Sequence, residues 1–183
     1  MPGWVVGSVA TSAQARAWLE WACTSSTPVA LLESRDAYGV DVLPAESSVH
    51  EPCRARCLRE GTDITLIAWG DALGTACSAA DAASERGIST ALWDPSMLCP
   101  WDEEALLAAV RKTGRVVIVE AAPKNAGLSE SLAALIVERA VEWLEGPVLR
   151  VTQPSCPLPA TVAPESCLTV GAVTAAVEQV IQF

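Results

Sequence analysis

His50, Cys53 and Cys57 are the tightest group of potential metal ligands in the chain. Imidazole and thiolate both suit zinc, but zinc sites show two ligand pairs with a longer gap between them. The single histidine of the chain is already used here and no second pair follows, so no metal site is assigned. Nucleophilic chemistry has little support. There is no Gly-x-Ser-x-Gly elbow, no phosphate loop ending in Gly-Lys-Ser/Thr, and no Gly-x-Gly-x-x-Gly after a strand. Any serine or cysteine nucleophile relying on a histidine base would have to be built around His50. Asp102, Glu103 and Glu104 open a predicted helix, where negative charge complements the dipole. Glu120 differs, because it ends a buried strand, the place where α/β sheets bind ligands. The same carboxylate could equally be satisfied by a neighbouring helix start, and both readings stay open. No catalytic or cofactor-binding residue is assigned.

Composition narrows the classes. The chain has 183 residues, half of them hydrophobic, with a net charge of −10. Such acidity excludes nucleic acid as a partner, since that surface needs a basic footprint. No apolar run approaches a membrane span, and the N-terminus lacks the basic start and apolar stretch of a secretion signal. Seven cysteines without a framework fit reduced thiols. The expectation is a cytoplasmic protein that neither spans nor binds a membrane.

The positioning elements follow from patterning. Residues 62–69 (TDITLIAW) form an apolar run between two glycines, suited to a strand buried on both faces of a parallel sheet. Asp71 is expected to cap a helix over 72–86 that Gly87 ends, and 89–93 form the next strand, stopped by Asp94-Pro95. A helix over 103–112 and a strand over 115–120 follow. Ser129 is expected to cap a helix over 130–144, before a strand over 148–151 and a closing helix over 169–181. Upstream, strands over 4–9 and 28–33 flank a helix over 13–23 capped by Thr11 or Ser12. The fold class is therefore α/β, a mostly parallel sheet sandwiched by helices and preceded by a βαβ unit. Residues 1–40 hold that unit, 41–60 read as a linker and 61–183 as the main domain. Two strands and one helix cannot bury both faces alone, and open strand edges are usually covered. Trp18 and Trp21, at helical spacing, are thus expected to form an assembly interface.

Several stretches carry a resemblance. Arg59-Glu60-Gly61-Thr62-Asp63-Ile64-Thr65-Leu66, Asp102-Glu103-Glu104, Lys112-Thr113-Gly114-Arg115, Glu120 with Pro123-Lys124 and Gly127, and Pro147-Val148-Leu149-Arg150-Val151-Thr152 stand in one order. That order resembles the transketolase-type C-terminal domain in the beta subunit of thiamine-diphosphate-dependent 2-oxo acid dehydrogenases. Val5-Val6, Ala13 to Ala22, Pro28-Val29, Leu32-Glu33 and Tyr38-Gly39-Val40 are similar to the last βαβ of that family's pyrimidine-binding domain.

The resemblance implies the C-terminal subunit of a beta chain encoded in two parts. The family's activating glutamate lies in the part that this chain does not match. Thiamine diphosphate and magnesium would then be held in the assembled complex only, with none bound by this chain alone. The implied partners are an alpha-like subunit, a chain carrying the missing pyrimidine-domain half, and an acyl-carrier component. The family's structural potassium site maps to the turn Ala22-Cys23-Thr24-Ser25-Ser26-Thr27, with Ser25 in place of an aspartate. Its Gly-Gly reads Ala126-Gly127, and its Asp-Thr-Pro-Val-Pro-Tyr reads Ser155-Cys156-Pro157-Leu158-Pro159-Ala160. In that family the carrier component docks through a basic patch on the beta subunit's C-terminal surface. The matching positions here are Glu145 and the terminal carboxylate of Phe183. Two rival readings are a non-catalytic docking adaptor and a stand-alone small-molecule binder using the strand ends near Glu120.

Overall fold

β4 (Ile64–Ala68) is buried along its whole length, and its side chains alternate between two cores as strand geometry requires. Ile64, Leu66 and Ala68 face one layer and Ile67 the other. The computed structural model describes residues 3–34, 51–125, 127–155 and 168–183. In it β4 lies at the middle of a five-stranded sheet, flanked by β5 (Thr90–Asp94) and β7 (Val116–Pro123). β3 (Arg56–Arg59) and β8 (Leu149–Gln153) form the two edges. β5, β4, β7 and β8 run parallel, as the strand–helix alternation predicts, whereas β3 is antiparallel to β5.

Helices α2 (Ala72–Glu85) and α5 (Val170–Ile181) cover one face; α3 (Glu103–Thr113) and α4 (Leu128–Ala140) cover the other. Ala72, Ala76, Ala79, Ala80 and Ala83 are fully buried on α2. Their small side chains let that helix sit close to Val173, Val177 and Val180 of α5. Gly61 is another contact point, because a Cβ there would lie 2.1 Å from the Ala91 nitrogen.

Local signals explain most boundaries. The Thr11 hydroxyl accepts from the Gln14 amide at 3.1 Å and starts α1 (Ser12–Ala22). Asp102 caps α3, and its other oxygen accepts from the Ala55 amide at 3.0 Å. α3 ends at Gly114 with φ 66°. Two expected caps are corrected. Asp71 already has helical angles and makes no side-chain cap bond. α4 begins at Leu128, so Ser129 lies inside the helix rather than ahead of it.

Two further corrections concern the path of the chain. The linker reading fails over 56–59, which form the edge strand β3; residues 35–50, including Tyr38-Gly39-Val40 and His50, lie outside the described residues, as do 156–167. After Asp94-Pro95 comes a short strand, β6 (Met97–Cys99), where the sequence patterning placed no element. β6 pairs antiparallel with β1 (Val5–Val9), which pairs parallel with β2 (Val29–Glu33). The order of this second sheet is β2-β1-β6. The stretch after residue 61 therefore supplies one strand to the opening unit. Ser96 adopts φ 56° and turns the chain from one sheet into the other. Val9, Trp18 and Met97 form a small core under α1, and Val6 on β1 packs into the main core beside Trp69 and Trp93.

Candidate functional site

A buried polar cluster holds the two sheets together. The Gln14 side-chain nitrogen donates to Asp94 at 2.9 Å and to Ser96 at 3.1 Å, while its oxygen accepts from the Ala10 amide. The Trp18 indole donates to the Ser96 hydroxyl at 2.9 Å, and the Ser96 amide donates to Asp94 at 2.8 Å. Arg56 stands 3.8 Å from the same carboxylate. Trp18 is consequently a core residue of this chain, 1% exposed, packed edge-on to Trp21 at 5.5 Å. On α1, Trp21 is half-buried and Leu19 is exposed. No described strand pairs with the outer edge of β2.

Glu120 follows the second of its two open readings. Its carboxylate accepts from the Leu128 amide at 2.8 Å and the Ser129 amide at 3.0 Å. It thus holds the free amides at the start of α4, the role the sequence reading gave to Ser129. Gly127 permits this approach, since a Cβ there would lie 2.4 Å from a Glu120 oxygen. Next to it, a crevice of about 220 Å³ opens where β1, β2, β4 and β7 end, lined by Ser8, Glu33, Asp71, Glu120 and Leu128 among others. Connections leave β4 and β7 in opposite directions, towards β5 and β8, which makes this a switch point of the kind where α/β sheets bind ligands. Asp71 brings to this crevice a carboxylate with no cap bond, which does not fit a diphosphate.

Glu145 and Phe183 come together at the opposite end of the sheet. Gly114 leaves room for Glu145, whose side chain lies across it, and the Glu145 amide donates to the Gly114 carbonyl at 2.7 Å. The Glu145 carboxylate pairs with Arg115 at 2.6 Å. It is not at a helix end, because α4 stops at Ala140 and a 3₁₀ turn, Val141–Trp143, follows. A groove of about 480 Å³ runs between Arg111, Lys112, Arg115, Trp143 and Glu145. Gly146 packs against Val180 and Phe183, and Phe183 is 71% exposed. The pairing with Arg115 is invisible in the sequence, because the two residues are thirty positions apart.

Metal ligation finds no support among the described residues, where no three His, Cys, Asp or Glu residues group suitably. The Ser25 hydroxyl donates to the Thr27 carbonyl and accepts from the Thr27 amide, both at 3.1 Å. It closes its own turn. No helix among the described residues is long and apolar enough to cross a membrane.

Four parallel strands between two helix layers, with an antiparallel edge strand and an adjoining three-stranded sheet, define an α/β protein. The family model for the transketolase C-terminal domain matches residues 54–173, and the chain belongs to that family. It is 35% identical over 160 residues to the pyruvate dehydrogenase E1 component subunit beta of Bacillus subtilis, covering 86% of this chain and 49% of the relative. It is 39% identical over 139 residues to the mitochondrial 2-oxoisovalerate dehydrogenase subunit beta 2 of Arabidopsis thaliana, covering 75% of this chain and 39% of the relative. The solved inactive beta4 tetramer of a split gene transketolase aligns over 100% of this chain and 58% of its own, with a TM-score of 0.81 and 28% identity. The chain thus spans about half the length of the curated relatives it matches.

Proposed function

We propose that this chain is the C-terminal part of a beta subunit in a split thiamine-diphosphate-dependent enzyme acting on 2-oxo acids. The enzyme would transfer the acyl group to a carrier or ligate it to another carbonyl. Thiamine diphosphate and magnesium would be held in the assembled complex, between an alpha-like subunit and a chain carrying the rest of the pyrimidine-binding domain. This chain would supply architecture and, at Glu145 and Phe183, a docking surface for a basic acyl-carrier component. The observation that carries the reading is the unfinished second sheet. Its β2 edge is unpaired among the described strands, and Leu19 is exposed on α1, although the unit is fixed to the family domain through Gln14, Asp94 and Ser96. An open strand edge is normally covered in working proteins. Similarity to beta subunits and to a split gene transketolase supports the same assembly.

Co-expression with a chain bearing the pyrimidine-domain half tests the reading. The expected result is a stable complex that binds thiamine diphosphate and magnesium by calorimetry, while this chain alone does not. Micromolar binding by this chain alone, or failure of the two chains to associate, would overturn it.

A further inference from the structure

The crevice at the strand ends has the properties of a small-ligand site. Four parallel strands from two sheets end on it: β1 at Ser8, β2 at Glu33, β4 at Trp69 and β7 at Glu120. Ser8 is 5% exposed and lines the crevice, and its hydroxyl has no hydrogen-bond partner among the described residues. Buried hydroxyls are normally paired, so one left open towards a crevice marks a position for a ligand atom. Asp71 lines the same space, and its carboxylate makes neither a cap bond nor any other described contact. Between them Gly70, at φ 53°, keeps the wall open, because a Cβ there would come within 2.9 Å of the Ser8 oxygen. Leu32, Leu98, Ala121, Ala122 and Leu128 supply apolar walls.

These groups define what fits. Asp71 brings to this space a carboxylate without a described partner, and the Ser8 hydroxyl adds an acceptor, so a donor-rich cation is favoured over an anion. A volume of about 220 Å³ lies below the 300–1,000 Å³ of drug-sized pockets, which restricts the occupant to a small molecule. From this geometry we propose that the crevice binds a small organic cation, a primary ammonium on a short apolar body. The ammonium would donate to Asp71 and the Ser8 hydroxyl, with its alkyl part against Leu98 and Leu128. The site is independent of the thiamine reading and would survive its failure.

Calorimetry on the full chain tests this, with n-butylammonium chloride as probe, butyrate as its charge-reversed control and n-butanol as its uncharged one. Saturable heat is expected with butylammonium and none with butyrate. Asp71→Asn should weaken the affinity about tenfold, the scale of one charge-assisted hydrogen bond, and Ser8→Ala should weaken it a few-fold. Glu104→Gln, exposed on α3 away from the crevice, should leave it unchanged. In wild type, amide chemical shifts should move at Ser8, Gly70, Asp71 and Ala121, a readout that needs no variant to fold. Absence of saturable binding, equal binding of butyrate, undiminished binding by Asp71→Asn, or shifts confined elsewhere would each overturn the proposal.

Discussion

Glu120 is the residue where sheet and helix layer meet. Its two oxygens accept from two amides that a helix start leaves free, and it is 4% exposed. Glu120→Ala would strand those donors in a buried setting. Since hydrogen bonds to charged groups contribute about 1.5–3 kcal/mol each, the expected loss of stability is about 3 kcal/mol by urea denaturation. Glu120→Gln, which keeps one acceptor oxygen, should cost about half as much. Cys57 offers a second test. It is exposed on the edge strand, but packing around the sulfur, and then the adjacent Glu60 carboxylate, push its thiol above the ordinary value. A raised pKa means less thiolate at mildly alkaline pH, so iodoacetamide should modify Cys57 more slowly than a free thiol. Glu60→Gln removes the repelling charge and should speed that reaction; an unchanged rate would refute the electrostatic part.

At the scale of elements, the sharpest dependence is that of β1, α1 and β6 on one carboxylate. Asp94 accepts from Gln14 and Ser96 and stands against Arg56, with its side chain 2% exposed. Breaking a buried charged pair from one side typically costs about 3–5 kcal/mol, because the other charge stays buried. Asp94→Ala is expected to lose that much and to raise hydrogen exchange in β1 and α1 more than in β4 and β7. Uniform loss of protection would instead mean that the two sheets unfold as one unit without a local joint.

At the scale of the molecule, the docking face can be tested through Glu145. Its pairing with Arg115 at 61% side-chain exposure contributes under about 1 kcal/mol to the fold itself. Glu145→Lys should therefore lower the thermal midpoint only slightly. If the residue also pairs with a buried cation of the carrier component, the same change should weaken docking by about 2–5 kcal/mol. The difference should be greatest at low salt, where exposed charges are least screened. Carrier capture by Glu145→Lys equal to wild type would remove the site from the proposed function.

What the sequence determined was whatever depends on neighbours along the chain. Apolar runs such as 64–68 and 116–120, the cap at Thr11, the helix-start charge of Asp102 and the stop at Gly87 were legible, because alternation, capping and left-handed backbone are local properties. Parallel order followed from the strand–helix alternation, and the family from motifs in sequence. Tertiary structure decided the rest. β6 is three residues long and β3 lies in a stretch rich in turn signals, so neither carries enough periodicity to be read. Trp18 faces inward because Gly7, on the strand beneath, leaves room for its ring. Glu120 rather than Ser129 holds the start of α4, Glu145 is paired to Arg115, and Ser8 meets Asp71 across one crevice. Each of these joins residues distant in sequence, and a side chain's partner in such cases is set by how strands and helices stack rather than by its own local pattern.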